Sequence, residues 1–162
     1  MSESRGKIII RGKIWKYGDN VNTDVIFPGK YTYTISDPVE MGKHALEELD
    51  PEFPKRVKKG DVIVAGANFG SGSSRDQAPL SIKYAGVGAV IAESFARIFF
   101  RNAINVGLPL IMNKEVARIA KAGDEIEIDF GLGKILYMDE VFVFPPFPEK
   151  VLEILESGGL IQ

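Results

Sequence analysis

The sequence predicts one α/β domain, with a parallel α/β layer in the centre of the chain and β-rich ends. Three observations carry this. Short apolar runs at 61–65, 88–92 and 108–112 alternate with longer stretches of helical period, the mark of strands buried on both faces and joined by helices. The segments at 7–15 and 125–144 are instead rich in β-branched residues and turns, which favour short exposed strands. The chain has 162 residues, 45% hydrophobic and 26% charged, enough for one well-buried core without covalent staples.

The elements follow in order. Residues 7–15 read as a strand, and a polar Gly/Asn/Asp-rich loop runs over 17–28. Residues 29–35 suit either strand or loop. Asp37 caps a helix, with Pro38 at its first position and Glu40 where a capping box needs it. Met41, Ala45, Leu46 and Leu49 give that helix an apolar face. A Pro- and Lys-rich connection spans 51–59. The strand at 61–65 leads into a glycine- and serine-rich loop at 66–75, then a helix at 75–84 ended by Gly86. After the strand at 88–92, Ser94 caps a helix over 95–105, with Gly107 past its end. A strand at 108–112 precedes a helix that Asn113 caps and Gly123 stops. Strands at 125–129, 134–137 and 141–144 and a helix at 149–157 complete the chain.

Charge and composition exclude several functions. Twenty basic and twenty-two acidic residues leave a net charge of −2, no electrostatic footprint for nucleic acid or an anionic membrane. No apolar stretch is long enough to span a bilayer, and the polar start lacks a signal-peptide core, so a cytoplasmic protein is expected. There is no cysteine and one histidine, His44. Thiol nucleophiles, thiolate-held clusters and multi-histidine metal sites are impossible within this chain.

The loop at 66–75 is the first place to look for chemistry. Ser71, Ser73 and Ser74 lie among Gly66, Gly70 and Gly72, between a buried strand and a helix start, where α/β sheets bind ligands. Amides and the helix dipole there favour anions, and Arg75 adds a two-pronged carboxylate or phosphate binder. Equally, Ser74 and Gln77 fit a capping box. One serine can cap while the other faces a ligand. Neither a Walker A loop nor a dinucleotide fingerprint fits, which leaves a small carboxylate-bearing ligand.

A second loop, at 18–26, holds Asp19, Asn20, Asn22 and Asp24, but the acidic twelfth position of an EF-hand is missing; its composition suits an Asx-turn loop. His44 falls on the polar side of its helix and reads as solvated. Phe95, Phe99 and Phe100 read as core. Arg97 and Arg101 read as a solvated or subunit-facing edge, and the basic run at 55–59 as solvated.

Taken together, Gly-Asp-Asn-Val-Asn-Thr-Asp (18–24), Gly-Ala-Asn-Phe-Gly-Ser-Gly-Ser-Ser-Arg (66–75) and Glu-Ser-Phe-Ala-Arg-Ile-Phe-Phe-Arg-Asn (93–102) resemble the small subunits of 3-isopropylmalate dehydratase, in the aconitase superfamily. The resemblance covers nearly the whole chain. It implies a single swivelling β/β/α domain that pairs with a large catalytic subunit carrying a [4Fe–4S] cluster. The implied reaction interconverts 2- and 3-isopropylmalate in leucine biosynthesis. By resemblance, Ser73 is the base, Asp24 lies in the shared active site, Ser74 and Arg75 hold carboxylates of a hydroxy di- or tricarboxylate, and Tyr31, Thr32, Tyr33 and Thr34 form the loop that reads the substrate's side group. Where relatives often carry Glu-His after the arginine, this chain has Asp76-Gln77. Tyr33 also matches neither the apolar isopropylmalate pattern nor the basic homoaconitate one, and Lys30 is adjacent. A homoaconitase small subunit of lysine biosynthesis, or a dual-specificity form, is the nearest alternative. A stand-alone module binding small anions is the alternative from another class.

Overall fold

The computed structural model describes residues 9–72 and 75–156. Ser73 and Ser74, expected as base and carboxylate ligand, lie outside the described residues, as do 7–8 of the first expected strand and Ser157 at the end of the last expected helix.

Seven strands form one mixed sheet in the order β4-β3-β2-β1-β5-β6-β7. They are β1 (Ile9–Lys16), β2 (Val62–Ala65), β3 (Ala89–Ala92), β4 (Leu110–Met112), β5 (Glu125–Asp129), β6 (Lys134–Tyr137) and β7 (Glu140–Val143). β1 is the seam. Its second half pairs parallel with β2 through Ile14, Trp15 and Lys16. Its first half pairs antiparallel with β5, from Ile9 opposite Asp129 to Lys13 opposite Glu125. The parallel half then runs outward through β3 and β4, the antiparallel half through β6 and β7.

The parallel strands are sandwiched. Ile63, Ala65, Val90, Ala92 and Leu110 face a core built with Ile26, Phe27, Leu46, Phe53, Ile82 and Phe99. Their alternate residues Val62, Val64, Ala89, Ile91 and Ile111 face a second core with Val116, Ala117, Ile126, Ile128, Ile135 and Phe142. The antiparallel half therefore curls over one side of the parallel half while helices cover the other. Burial on both faces explains why these strands read as continuous apolar runs.

The helices are α1 (Thr23–Ile26), α2 (Pro38–Gly42), α3 (Phe53–Arg56), α4 (Gln77–Tyr84), α5 (Arg97–Val106), α6 (Lys114–Ile119) and α7 (Glu149–Glu156). Among the described residues no helix is long and apolar enough to cross a membrane. Asp37 caps α2 and Asn113 caps α6 as expected, and Gly107 ends α5 in the left-handed conformation.

Five expectations are corrected or resolved. The helix predicted through Leu49 stops at Gly42, because Leu46 takes a positive φ of 57° and breaks the period while burying completely. Ser94 does not cap α5; its Oγ accepts a hydrogen bond from the Asn68 amide at 2.8 Å, and α5 starts after Ala96. The loop at 17–28 contains the one-turn helix α1, capped by Asn22, and the connection at 51–59 contains α3. Residues 29–35 are no strand: Gly29–Tyr31 form a 3-10 turn followed by further turns.

Candidate active site

The carboxyl ends of β1, β2 and β3 point the same way, so the loops that follow them meet. Backbone hydrogen bonds lace the first loop to the second: Gly66 N donates to Gly18 O, Asn20 N to Ala67 O, Gly70 N to Val21 O and Thr23 N to Ser71 O, at 2.7–3.0 Å. The third loop joins through Phe69 N to Ser94 O (3.1 Å) and Ala96 N to Phe69 O (3.0 Å). Phe69 is fully buried, its ring edge-on to Phe95 and Phe99, and so roots the glycine loop in the core. The three segments quoted for the resemblance are thus one structure.

Two glycines make the lacing possible. A Cβ at Gly66 would stand 1.9 Å from Asp19 Oδ1, the oxygen that accepts from the Ala67 amide. Gly70 has φ +86°, and a Cβ there would meet the Phe99 ring at 2.2 Å. Backbone packed this closely leaves no room for any other residue type.

At the end of the glycine loop, Arg75 is gripped from two sides. Its Nη2 donates to Asp24 Oδ1 on α1, and its Nη1 donates to Thr32 Oγ1. From the first position of α4, Gln77 Nε2 donates to the Thr32 carbonyl at 3.0 Å. Asp24, Arg75 and Thr32 are therefore brought together. Of the expected capping box, Ser74 lies outside the described residues; Asp76 occupies the N-cap of α4 without a side-chain bond, and the Gln77 amide nitrogen donates to Thr32.

The other loop residues divide. Tyr31 turns inward. Its hydroxyl donates to Glu47 Oε2 at 2.9 Å, and its ring lies 4.3 Å from the His44 ring. The Glu47 bond, then burial, raises the Tyr31 pKa. His44, expected to be solvated, is half-buried, with Nδ1 donating to Glu47 Oε1 at 2.7 Å. Burial pushes Glu47 up, but the bonds from His44 and Tyr31 prevail and hold its pKa below the ordinary value. Tyr33 is 98% exposed and Thr34 is exposed. Tyr31 thus anchors the loop, and Tyr33 presents a side chain from it.

Phe99 is buried and Phe95 and Phe100 pack half-buried against the same core, as expected. Arg97, Arg101 and the basic run Lys55, Arg56, Lys58 and Lys59 are exposed. Among the described residues no three His, Asp or Glu side chains gather as metal ligands. Asp19 and Asn22 serve backbone amides instead, and Asp24 serves Arg75. Cavities of about 730 and 580 Å3 lie elsewhere, around Asp61 before β2. That carboxylate is structural, taking bonds from Lys13 N, Trp15 Nε1 and Lys58 N at 2.9–3.1 Å. Gln77 and Glu47 were missed as site supports in the sequence. Gln77 acts across 45 residues, and no local pattern reports such a contact.

Residues 19–115 match the model of the aconitase C-terminal domain. The chain is 54% identical over 157 residues to a 3-isopropylmalate dehydratase small subunit of Caldicellulosiruptor saccharolyticus, covering 96% of this chain and 90% of the relative. It is also 54% identical over 156 residues to the methanogen homoaconitase small subunit of Methanothermobacter thermautotrophicus, covering 95% and 89%. The crystal structure of 3-isopropylmalate dehydratase from Methanocaldococcus jannaschii superposes with a TM-score of 0.85 at 50% identity, over 94% of this chain and 91% of that one. Aconitase X from Thermococcus kodakaraensis shares the fold, with a TM-score of 0.52 at 18% identity, over 80% and 90%.

Proposed function

Because the chain belongs to the aconitase C-terminal domain family, as a small subunit of the 3-isopropylmalate dehydratase type, we propose that its strand-end loops form one half of a hydro-lyase active site. The other half belongs to a large subunit. In this reading the pair moves the hydroxyl of isopropylmalate between neighbouring carbons by removing and re-adding water, a step of leucine biosynthesis.

The observation that carries the reading is the convergence of Asp24, Thr32 and Arg75 at the end of the glycine loop. A held guanidinium fork is what bidentate carboxylate recognition requires. The Arg75–Asp24 pair is accessible, with 69% of the Asp24 side chain exposed. An exposed pair is worth at most about 1 kcal/mol, so an incoming carboxylate can rearrange it. Ser74, next to Arg75, is assigned as a second carboxylate contact.

Ser73 is the proposed base that takes the carbon-bound proton. A serine hydroxyl is a weak base unless its alkoxide is stabilised. The neighbouring Arg75 and the amides of the glycine loop are the groups at hand for that. With no cysteine, the chain cannot supply thiolates to an iron–sulfur cluster. The [4Fe–4S] cluster is therefore assigned to the large subunit, where bound iron would polarise the leaving hydroxyl.

A second reading has its own support. The homoaconitase relative is as similar as the isopropylmalate one, and the loop presents an uncommitted Tyr33, 98% exposed, in place of an apolar or basic residue. A dual-specificity enzyme, or a homoaconitase subunit, fits those facts.

The test is anaerobic reconstitution with the large subunit of the same organism and assay of hydration of the unsaturated intermediates of both pathways. The isopropylmalate reading expects activity on its intermediate and a loss of roughly a thousandfold or more in Ser73→Ala. Comparable rates on both intermediates would establish dual specificity. Ser73→Ala at wild-type rate would remove the base and leave a binding loop. Tight dicarboxylate binding by this chain alone, measured by titration calorimetry, would favour the stand-alone module.

A further inference from the structure

Gln77 holds an anomaly. Its Nε2 donates to the Thr32 carbonyl at 3.0 Å, while its Oε1 is buried with no hydrogen-bond partner among the described residues. The amide cannot be turned round, because a carbonyl only accepts and Oε1 would then face Thr32 O. A buried acceptor without a donor opposes folding, so the side chain sits there against the interest of stability. What it gains is a fixed Thr32. That residue also receives Arg75 through Oγ1, and the exposed Tyr33 follows it directly. Arg75, Thr32 and Tyr33 thus depend on one backbone position, and Gln77 sets it.

We propose that Gln77 is a positioning residue: it latches the segment 31–34 to the start of α4, and so aligns the carboxylate binder Arg75 with the side chain that Tyr33 presents to the substrate. The catalytic part of this rests on the proposed function; the latch itself does not. Without the latch the 3-10 turn at Gly29–Tyr31 still has its inward anchor, Tyr31 on Glu47, so the loop loosens locally and the fold survives.

The test uses Gln77→Met, close in shape but without an amide, and Gln77→Glu. In the full-length chain, hydrogen exchange reads the Thr34 and Ile35 amides, which donate to Tyr31 O. Both variants are expected to exchange there about tenfold faster than wild type at neutral pH, with the core strands unchanged and the melting temperature of Gln77→Met kept or raised. Gln77→Glu is expected to approach wild-type exchange as acid protonates its carboxyl and restores a donor. Unchanged exchange at 31–35, or a lowered melting temperature with faster exchange throughout, overturns the latch. In the reconstituted complex, Gln77→Met is expected to raise KM about tenfold with a smaller change in kcat, and to narrow discrimination between the two intermediates. Equal KM and specificity with loosened exchange would overturn the alignment role. If the wild-type complex turns over neither intermediate, the proposed function fails, and the exchange data alone decide the latch.

Discussion

The two halves of the sheet spend their residues differently. In the parallel half, every side chain of β2 and β3 is buried. Nothing on those strands can meet a ligand, so polar and functional residues are expelled to the strand ends, where three loops interlock. In the antiparallel half burial alternates, as in β6, and Leu136, Val141 and Val143 stand 41–69% exposed on the open side. There a residue on the open face can change without meeting another element. A sheet covered on both sides concentrates chemistry at its edge, while one covered on a single side spreads tolerance over its surface.

The largest expected contrast between the two halves lies in a pair of alanines at glycines with nearly the same backbone. Gly70 and Gly123 have φ of +86° and +87°. Gly123, two residues before β5, has open space around its missing Cβ; Gly70 has the Phe99 ring at 2.2 Å. Gly70→Ala is expected to lose about 3–4 kcal/mol in urea denaturation, and Gly123→Ala about 1 kcal/mol, the backbone cost alone. Equal losses would mean that the interlocked loops yield as easily as an open turn.

Arg75→Lys comes next. It keeps the charge but removes the fork held by Asp24 and Thr32, so kcat/KM of the complex should drop about a hundredfold, near 2.7 kcal/mol. Urea stability should stay within about 1 kcal/mol, since the Asp24 pair is exposed. A stability loss as large as the loss in rate would make Arg75 a structural strut.

The smallest effect is a pH dependence confined to the loop half. Glu47 titrates lower in the folded chain than unfolded, so its contribution is present above the ordinary glutamate range and disappears as pH falls through the folded value. Acid should first loosen the Tyr31–His44–Glu47 contact, seen as faster exchange at 29–35, before the antiparallel strands respond. Glu47→Gln should flatten that acid dependence. An unchanged acid profile in that variant would assign it to other carboxylates.

The strands, most helix starts and stops and the place of the 66–75 loop between β2 and α4 were legible because each rests on a local signal: an apolar run, a cap, a glycine. Where the reading failed, distant packing overrode those signals. Ser94 looks like an N-cap in every local respect, yet the Asn68 amide takes its hydroxyl. Met41, Ala45 and Leu46 have helical spacing, but the chain turns at Leu46 to bury it. His44 reads as solvated until Tyr31 and Glu47, brought from other turns, close around it.

The fold class, the seven strands, the exclusion of thiol and cluster ligands from this chain and the family to which its three motifs point can all be read along the linear chain. Periodicity, composition and turn chemistry act over a few residues, and a linear chain displays them directly. It takes the folded chain to show that Arg75 reaches Asp24 and Thr32 across 51 and 43 residues, that Tyr31 faces in while Tyr33 faces out, and that Gln77 reaches back to the loop rather than to its own helix. Those contacts depend on which strand ends lie side by side, and strand order is a property of the whole sheet.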